Sequence, residues 1–142
     1  MDIRTISPDY AVTPQISPED LPAVKDAGFV AVICNRPDEE NPVELQAEVL
    51  RAATEAAGLK FIENPVVHTA LTMEIVNAQG AAMEEAGGPV LAYCASGTRS
   101  SIVWSLYQAG KLSTDEIIGA TSNAGYDLGH LAPQLDALAN SK

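Results

Sequence analysis

Cys94 and Arg99 are the two residues of this chain whose chemistry and spacing belong together. They stand in Tyr93–Cys94–Ala95–Ser96–Gly97–Thr98–Arg99–Ser100, with four residues between the thiol and the guanidinium. A thiol becomes a nucleophile when a cation and backbone N–H dipoles stabilise its thiolate, and a guanidinium offers a fixed, bidentate fork to an oxyanion. Gly97 supplies the backbone freedom of a tight loop, and Ser100, directly after the arginine, is placed to donate a hydrogen bond to the thiolate. The pattern predicts covalent catalysis. Cys94 is the nucleophile, Arg99 the anion clamp and Ser100 the thiolate partner, while the amides of Ala95, Ser96, Gly97 and Thr98 form a substrate cradle. The plain alternative, a structural cysteine beside a surface arginine, leaves the glycine and the surrounding strand and helix unused.

Such a loop needs a strand before it and a helix after it. Val90 to Tyr93 is a short apolar run that suits a buried parallel strand, which sets Cys94 at the strand end where open α/β sheets place ligands. Ile102, Val103, Leu106 and Tyr107 give Ser100–Gln108 a helical stripe, so the loop closes onto a helix N-terminus that favours an anion. Upstream, Ile3–Ile6 and Tyr10–Thr13 read as a hairpin at a sheet edge, turned at Ser7–Pro8–Asp9. Ser17–Pro18–Glu19–Asp20 starts a helix that stops near Gly28. Phe29 to Cys34 is a second buried strand, followed by a polar loop from Asn35 to Pro42. Val43–Ala57 has helical periodicity with Gly58 as its cap, and Leu59–Ile62 returns as a strand. Pro65 marks an extended stretch leading to Thr72, the N-cap of a helix over Met73–Glu85 in which Gly80 costs ~1 kcal/mol relative to Ala. Ser113–Thr114–Asp115–Glu116 is a capping box, and Leu128–Leu138 is a last helix interrupted by Pro133. Strands alternating with helices predict an α/β fold in three layers, a central, mostly parallel sheet flanked by helices.

The bulk properties narrow the partners. The chain of 142 residues fits a single domain, 1–142, and is 46% apolar with 5% aromatics. No apolar run approaches the ~18 residues of a membrane span. The formal charge of −11, from 19 acidic against 8 basic residues, repels nucleic acid and anionic membranes. A small anion must then be captured by local N–H groups and arginine, against the overall field. Two cysteines are too few for a disulfide framework or a thiolate metal site, so no metal or cofactor is expected. The first residues lack the basic and apolar segments of a secretory signal, which predicts a cytoplasmic location. Glu39–Glu40 and Glu84–Glu85 read as solvated faces.

Three segments carry a resemblance: Tyr93 to Ser100, Asn35–Arg36–Pro37–Asp38, and Ala124–Gly125–Tyr126–Asp127–Leu128. Together they are similar to the bacterial beta-lactamase hydrolase-like protein, phosphatase-like domain family, also described as DUF442, over essentially the whole chain. The resemblance implies a fold like that of the dual-specificity tyrosine phosphatases. It also implies either phosphatase or sulfurtransferase activity, in domains that stand alone or are fused to a sulfur-oxidising hydrolase-like domain, which makes a sulfide-oxidising partner an expectation.

Residue counting separates the two activities. Tyrosine phosphatases resemble Cys-x5-Arg, whereas the present loop is one residue shorter, which favours a pocket sized for sulfur, as in rhodanese-type sulfurtransferases. A cysteine phosphatase also needs an acid to protonate its leaving group, and there is no Asp or Glu between Asn64 and Met73. His68, Glu63 or Glu74 would have to serve. Tyr93 stands where such phosphatases carry histidine. Sulfur transfer through a Cys94 persulfide is therefore the first expectation. A phosphatase with a phosphocysteine intermediate is the alternative, and a non-catalytic anion-binding or docking module the third. Arg36 and His68 are accessory candidates, as is Cys34, which either packs or serves as a second thiol. Arg36 and Asp38 also suit a loop ion pair, and Tyr126 and Asp127 suit anchors of the last helix, Asp127 as its cap.

Overall fold

The computed structural model describes residues 1–67 and 69–141. Arg4–Ser7 (β1) and Tyr10–Thr13 (β2) form the antiparallel hairpin, and Ala31–Cys34 (β3), Lys60–Glu63 (β4) and Val90–Tyr93 (β5) complete the sheet in the order β1-β2-β5-β3-β4. All pairings after the hairpin are parallel. Thr13 and Cys34 both face Tyr93 in register, and Cys34 in turn faces Glu63, so four strands end along one edge. The segments after β2, β3, β4 and β5 all leave from this edge, which is what brings the site together.

Among the described residues six helices cover the sheet: Leu21–Asp26 (α1), Ala47–Ala56 (α2), Met73–Ala86 (α3), Thr98–Gln108 (α4), Thr114–Asn123 (α5) and Ala132–Asn140 (α6). β5, buried at every position, has a core on each side. Leu91 and Tyr93 pack with Leu21, Val24 and Leu50 of α1 and α2, whereas Val90 and Ala92 pack with Val76, Val103, Trp104, Ile117 and Leu135 of α3 to α6. The result is the three-layer fold expected of this strand and helix alternation.

Two helix starts differ from the periodicity, each for a local reason. The stretch from Val43 begins as a 3₁₀ turn, Gln46 is extended, and α2 starts at Ala47, because Asp38 Oδ1, nine residues upstream, accepts the Ala47 N–H at 2.8 Å. Val43 is 70% exposed and outside the buried stripe. Pro133 occupies the first turn of α6, where a missing N–H costs nothing, and so starts that helix instead of interrupting it. Gly80 is required by packing: a Cβ there would run into the Tyr107 ring, so the residue that weakens α3 also lets α4 approach it. The capping box of Ser113 and Glu116 and the Thr72 cap on Ile75 N are both in place. Among the described residues no helix is long and apolar enough to cross a membrane.

Candidate active site

The loop from β5 to α4 carries Cys94, fully buried at its base, and Arg99 in the first turn of the helix. The chain turns back at Gly97, whose φ of +94° falls in the left-handed region. The Gly97 N–H donates to Cys94 Sγ at 3.1 Å. A side chain at Gly97 would also collide with the Tyr126 hydroxyl, which donates to Ser96 O at 2.9 Å. Tyr126 therefore braces the loop rather than anchoring the last helix. Ser96 and Thr98 join through their hydroxyls at 3.0 Å, and Ala95 and Ser96 are exposed at the mouth.

Arg99 is 4% exposed and held by three hydrogen bonds. Nη1 donates to Glu40 Oε2 at 2.8 Å and to Val66 O at 2.9 Å, while Nη2 donates to Glu40 Oε1 at 2.7 Å. The bond to Glu40 is the largest cause that raises the Arg99 pKa, burial opposes it, and the electrostatic influence of Cys94 adds to it. Arg99 conversely holds the Glu40 carboxyl below the usual range. Glu40 is thus part of the site and not a solvated face. It also joins Arg36, whose Nε reaches Oε1 at 3.3 Å and whose Nη2 donates to Glu40 O at 3.0 Å. Arg36 belongs to the site through this shared carboxylate, and Asp38 caps α2 as described.

Ser100 takes a different part from the one its position suggests. Its hydroxyl is buried and donates to Asn35 Oδ1 at 2.9 Å, so it serves a polar network below the loop and not the thiolate. Asn35 and Gln79 form a reciprocal amide pair at 2.9 and 3.1 Å. Asn64 donates to Gln79 Oε1 at 2.8 Å, Gln79 donates to Tyr10 Oη at 3.0 Å, and Tyr10 donates to Ser100 O at 2.8 Å. The network ties β2, β3, β4 and α3 to the first turn of α4. In a dry interior such partners fix geometry because each is costly to leave unpaired. A polar Gln79 on the buried face of α3, three residues after Val76, was the one sign of it in the sequence.

The remaining candidates lie apart. Cys34 pairs in register with Tyr93, shares its core on the α1 and α2 face, and donates to Arg36 O at 3.3 Å; burial pushes its pKa up. Cys94, one residue past Tyr93, belongs to neither core. Both thiols are free, and no disulfide joins them. Glu63 pairs with Arg51 at 3.6 Å, and Glu74 is exposed on the first turn of α3. His68 lies outside the described residues. Asp127 Oδ1 accepts from Gly129 N at 3.5 Å, a weak local turn. A cavity of about 300 Å³ opens beside Arg99, walled by Val66, Leu71, Ile102 and Leu106 with Thr69 and Gln134. The arrangement offers a thiol, an amide on its sulfur, an oriented guanidinium and a cavity of mixed polar and apolar lining alongside.

Comparison with known proteins places this geometry. The sequence profile of the beta-lactamase hydrolase-like protein, phosphatase-like domain, matches residues 2–111. The chain is 29% identical over 141 residues to the Beta-lactamase hydrolase-like protein of Xylella fastidiosa, covering 98% of this chain and 33% of that protein. It thus spans about a third of the length of that curated relative. A Neisseria meningitidis protein provisionally assigned as a phosphatase superposes with a TM-score of 0.85 at 30% identity, covering 97% of this chain and 99% of the other. Pseudomonas aeruginosa TpbA, solved in complex with pTyr, shares the fold at 13% identity, with a TM-score of 0.62 and coverage of 99% and 91%.

Proposed function

Because the chain belongs to the beta-lactamase hydrolase-like protein, phosphatase-like domain family, we propose that it is a cysteine-dependent phosphatase acting on phosphate monoesters with good leaving groups. The observation that carries the reading is the loop at the start of α4, which sets Cys94 Sγ on the Gly97 N–H and the oriented Arg99 guanidinium in the first turn of the helix. In the proposed reaction the Cys94 thiolate attacks phosphorus. An S–P bond forms as the ester P–O bond breaks, and the electron pair leaves on the ester oxygen. Arg99 and the amides of residues 95–99 hold the non-bridging oxygens, where charge must be stabilised. Water then attacks phosphorus, the S–P bond breaks, and the thiolate is restored as inorganic phosphate departs.

Glu40 is a poor leaving-group acid because Arg99 keeps it ionised, and the 64–72 segment carries no carboxylic acid. The ester oxygen therefore leaves as an anion or takes its proton from water or from His68, which favours phenols over alcohols. The cavity beside Arg99, with both polar and apolar walls, gives the ester group a place to lie.

This reading puts phosphate ahead of the sulfur transfer that residue counting favours. It is supported by the phosphatase names of the family and of the Neisseria structure, and by the pTyr complex of TpbA. The loop of four residues between Cys94 and Arg99 keeps sulfur transfer as a second reading. There, Cys94 would take the outer sulfur of thiosulfate with sulfite leaving. No sulfide-oxidising partner is proposed. Hydrolysis of an aryl phosphate and thiosulfate-to-cyanide transfer, run side by side with Cys94→Ser as control, separate the readings. Phosphate release that disappears in Cys94→Ser is expected; sulfur transfer alone would overturn the phosphatase, and neither activity would indicate a binding module.

A further inference from the structure

Glu40 places a negative charge at an anion site, where simple electrostatics would have it weaken the ligand. Its hydrogen bonds account for its presence. A guanidinium has five N–H donors in a fixed plane. Glu40 takes one from each terminal nitrogen and Val66 O takes the other one on Nη1. Those bonds occupy the end of the fork and leave the edge formed by Nε and the second Nη2 hydrogen.

The carboxylate is itself fixed. Arg36 Nε holds Oε1 at 3.3 Å and Arg36 Nη2 holds the Glu40 carbonyl at 3.0 Å, with Arg36 Nη1 in turn on Gln15 Oε1 at 3.3 Å. Gln46 ties the same turn together through Asp38 O at 3.2 Å and Asn41 O at 3.1 Å. Two arginines on one carboxylate leave the cluster net cationic, so the site remains attractive to an anion.

We propose that Glu40 is a positioning residue: by holding the end of the Arg99 fork it presents the Nε–Nη2 edge to the substrate anion, and a carboxylate thereby strengthens anion binding. The inference rests on the reading of the loop as an oxyanion site.

Charge and positioning predict opposite signs, which makes the test direct. Wild type and Glu40→Gln are titrated with inorganic phosphate by calorimetry. Loss of a negative charge alone would tighten binding; loss of positioning weakens it, and we expect a weakening of about tenfold. The loss should largely vanish when both proteins carry Arg99→Lys, because a lysine has no second edge to select. With an aryl phosphate, Glu40→Gln should lower kcat more than it raises KM, and unfolding midpoints of all variants confirm that they are folded. Unchanged or tighter phosphate binding in Glu40→Gln, or the same loss in the Arg99→Lys background, overturns the proposal. If wild type binds thiosulfate and not phosphate, the phosphatase reading fails, and the comparison on thiosulfate decides the role of Glu40. Binding of neither anion overturns both.

Discussion

The segments after β5 and after β3 leave the same edge of the sheet and build the site by different means. The first works through its main chain: a glycine in the left-handed region, an amide on sulfur and the start of a helix. The second works through side chains, with Asn35 reaching under the loop and Glu40 gripping Arg99 from the rim. A main-chain device demands particular residue types at fixed spacing. A side-chain device demands only that the backbone deliver a carboxylate or an amide to the right point, which many loops do. The first kind is therefore visible in a sequence and the second is not.

The contrast is broken most severely at Gly97. Gly97→Ala asks an L-residue to hold φ near +94° and drives its Cβ against Tyr126. We expect a loss of about 1–3 kcal/mol in urea unfolding and aryl phosphate turnover reduced by roughly a hundredfold or more. Activity close to wild type would show that the main-chain geometry is not what the first loop supplies.

Asn35→Ala probes the second loop at its buried end. It leaves Ser100, Gln79 and Asn64 O short of partners, and a destabilisation of about 2–3 kcal/mol follows from orphaned buried groups. Both unfolding and kcat should suffer, since the network carries the first turn of α4. A neutral result would mean that Ser100 and Gln79 find other partners easily.

Glu40 gives a smaller, pH-dependent effect. Its folded pKa lies below the unfolded value because Arg99 bonds to the ionised form, so the stabilisation is present above the ordinary carboxylate pKa and is lost as pH falls through the folded one. The difference in thermal midpoint between wild type and Glu40→Gln should hold at neutral pH and close as the pH falls below the ordinary carboxylate pKa of about 4.3. A difference that grows on acidification would contradict the pairing.

The smallest change tests a scaffold position. Helix propensity says that Gly80→Ala should stabilise by about 1 kcal/mol. The Tyr107 ring against this position reverses the sign, and a modest destabilisation of less than about 1 kcal/mol is expected. A gain in stability would show that the ring moves aside freely.

These contrasts also explain what could be read before the fold was known. The strands, the edge hairpin and the Ser113 capping box follow from local patterns, since apolar runs, turn residues and caps act within a few residues of themselves. Cys94, Gly97 and Arg99 were legible for the same reason. The partner of Ser100 was not, because adjacency to Arg99 says nothing of Asn35, 65 positions away in sequence. Glu40 was hidden among neighbouring acids whose solvated reading is the ordinary one, and the late start of α2 depends on Asp38 returning over nine residues to cap it. Tyr126 was singled out with a resembling segment, but its contact with Ser96 spans 30 positions. Long-range side-chain bonds are set by the sheet edge that gathers the loops, and that edge exists only in the folded chain.

The most direct measurement is the intact mass of the chain quenched during turnover of an aryl phosphate, compared with Cys94→Ser. Attack by the thiol on phosphorus predicts a transient phosphoryl adduct on wild type, mapped to Cys94 and absent from the variant. No phosphoryl adduct, together with one added sulfur on Cys94 after thiosulfate, would contradict the phosphatase and return the loop to sulfur chemistry.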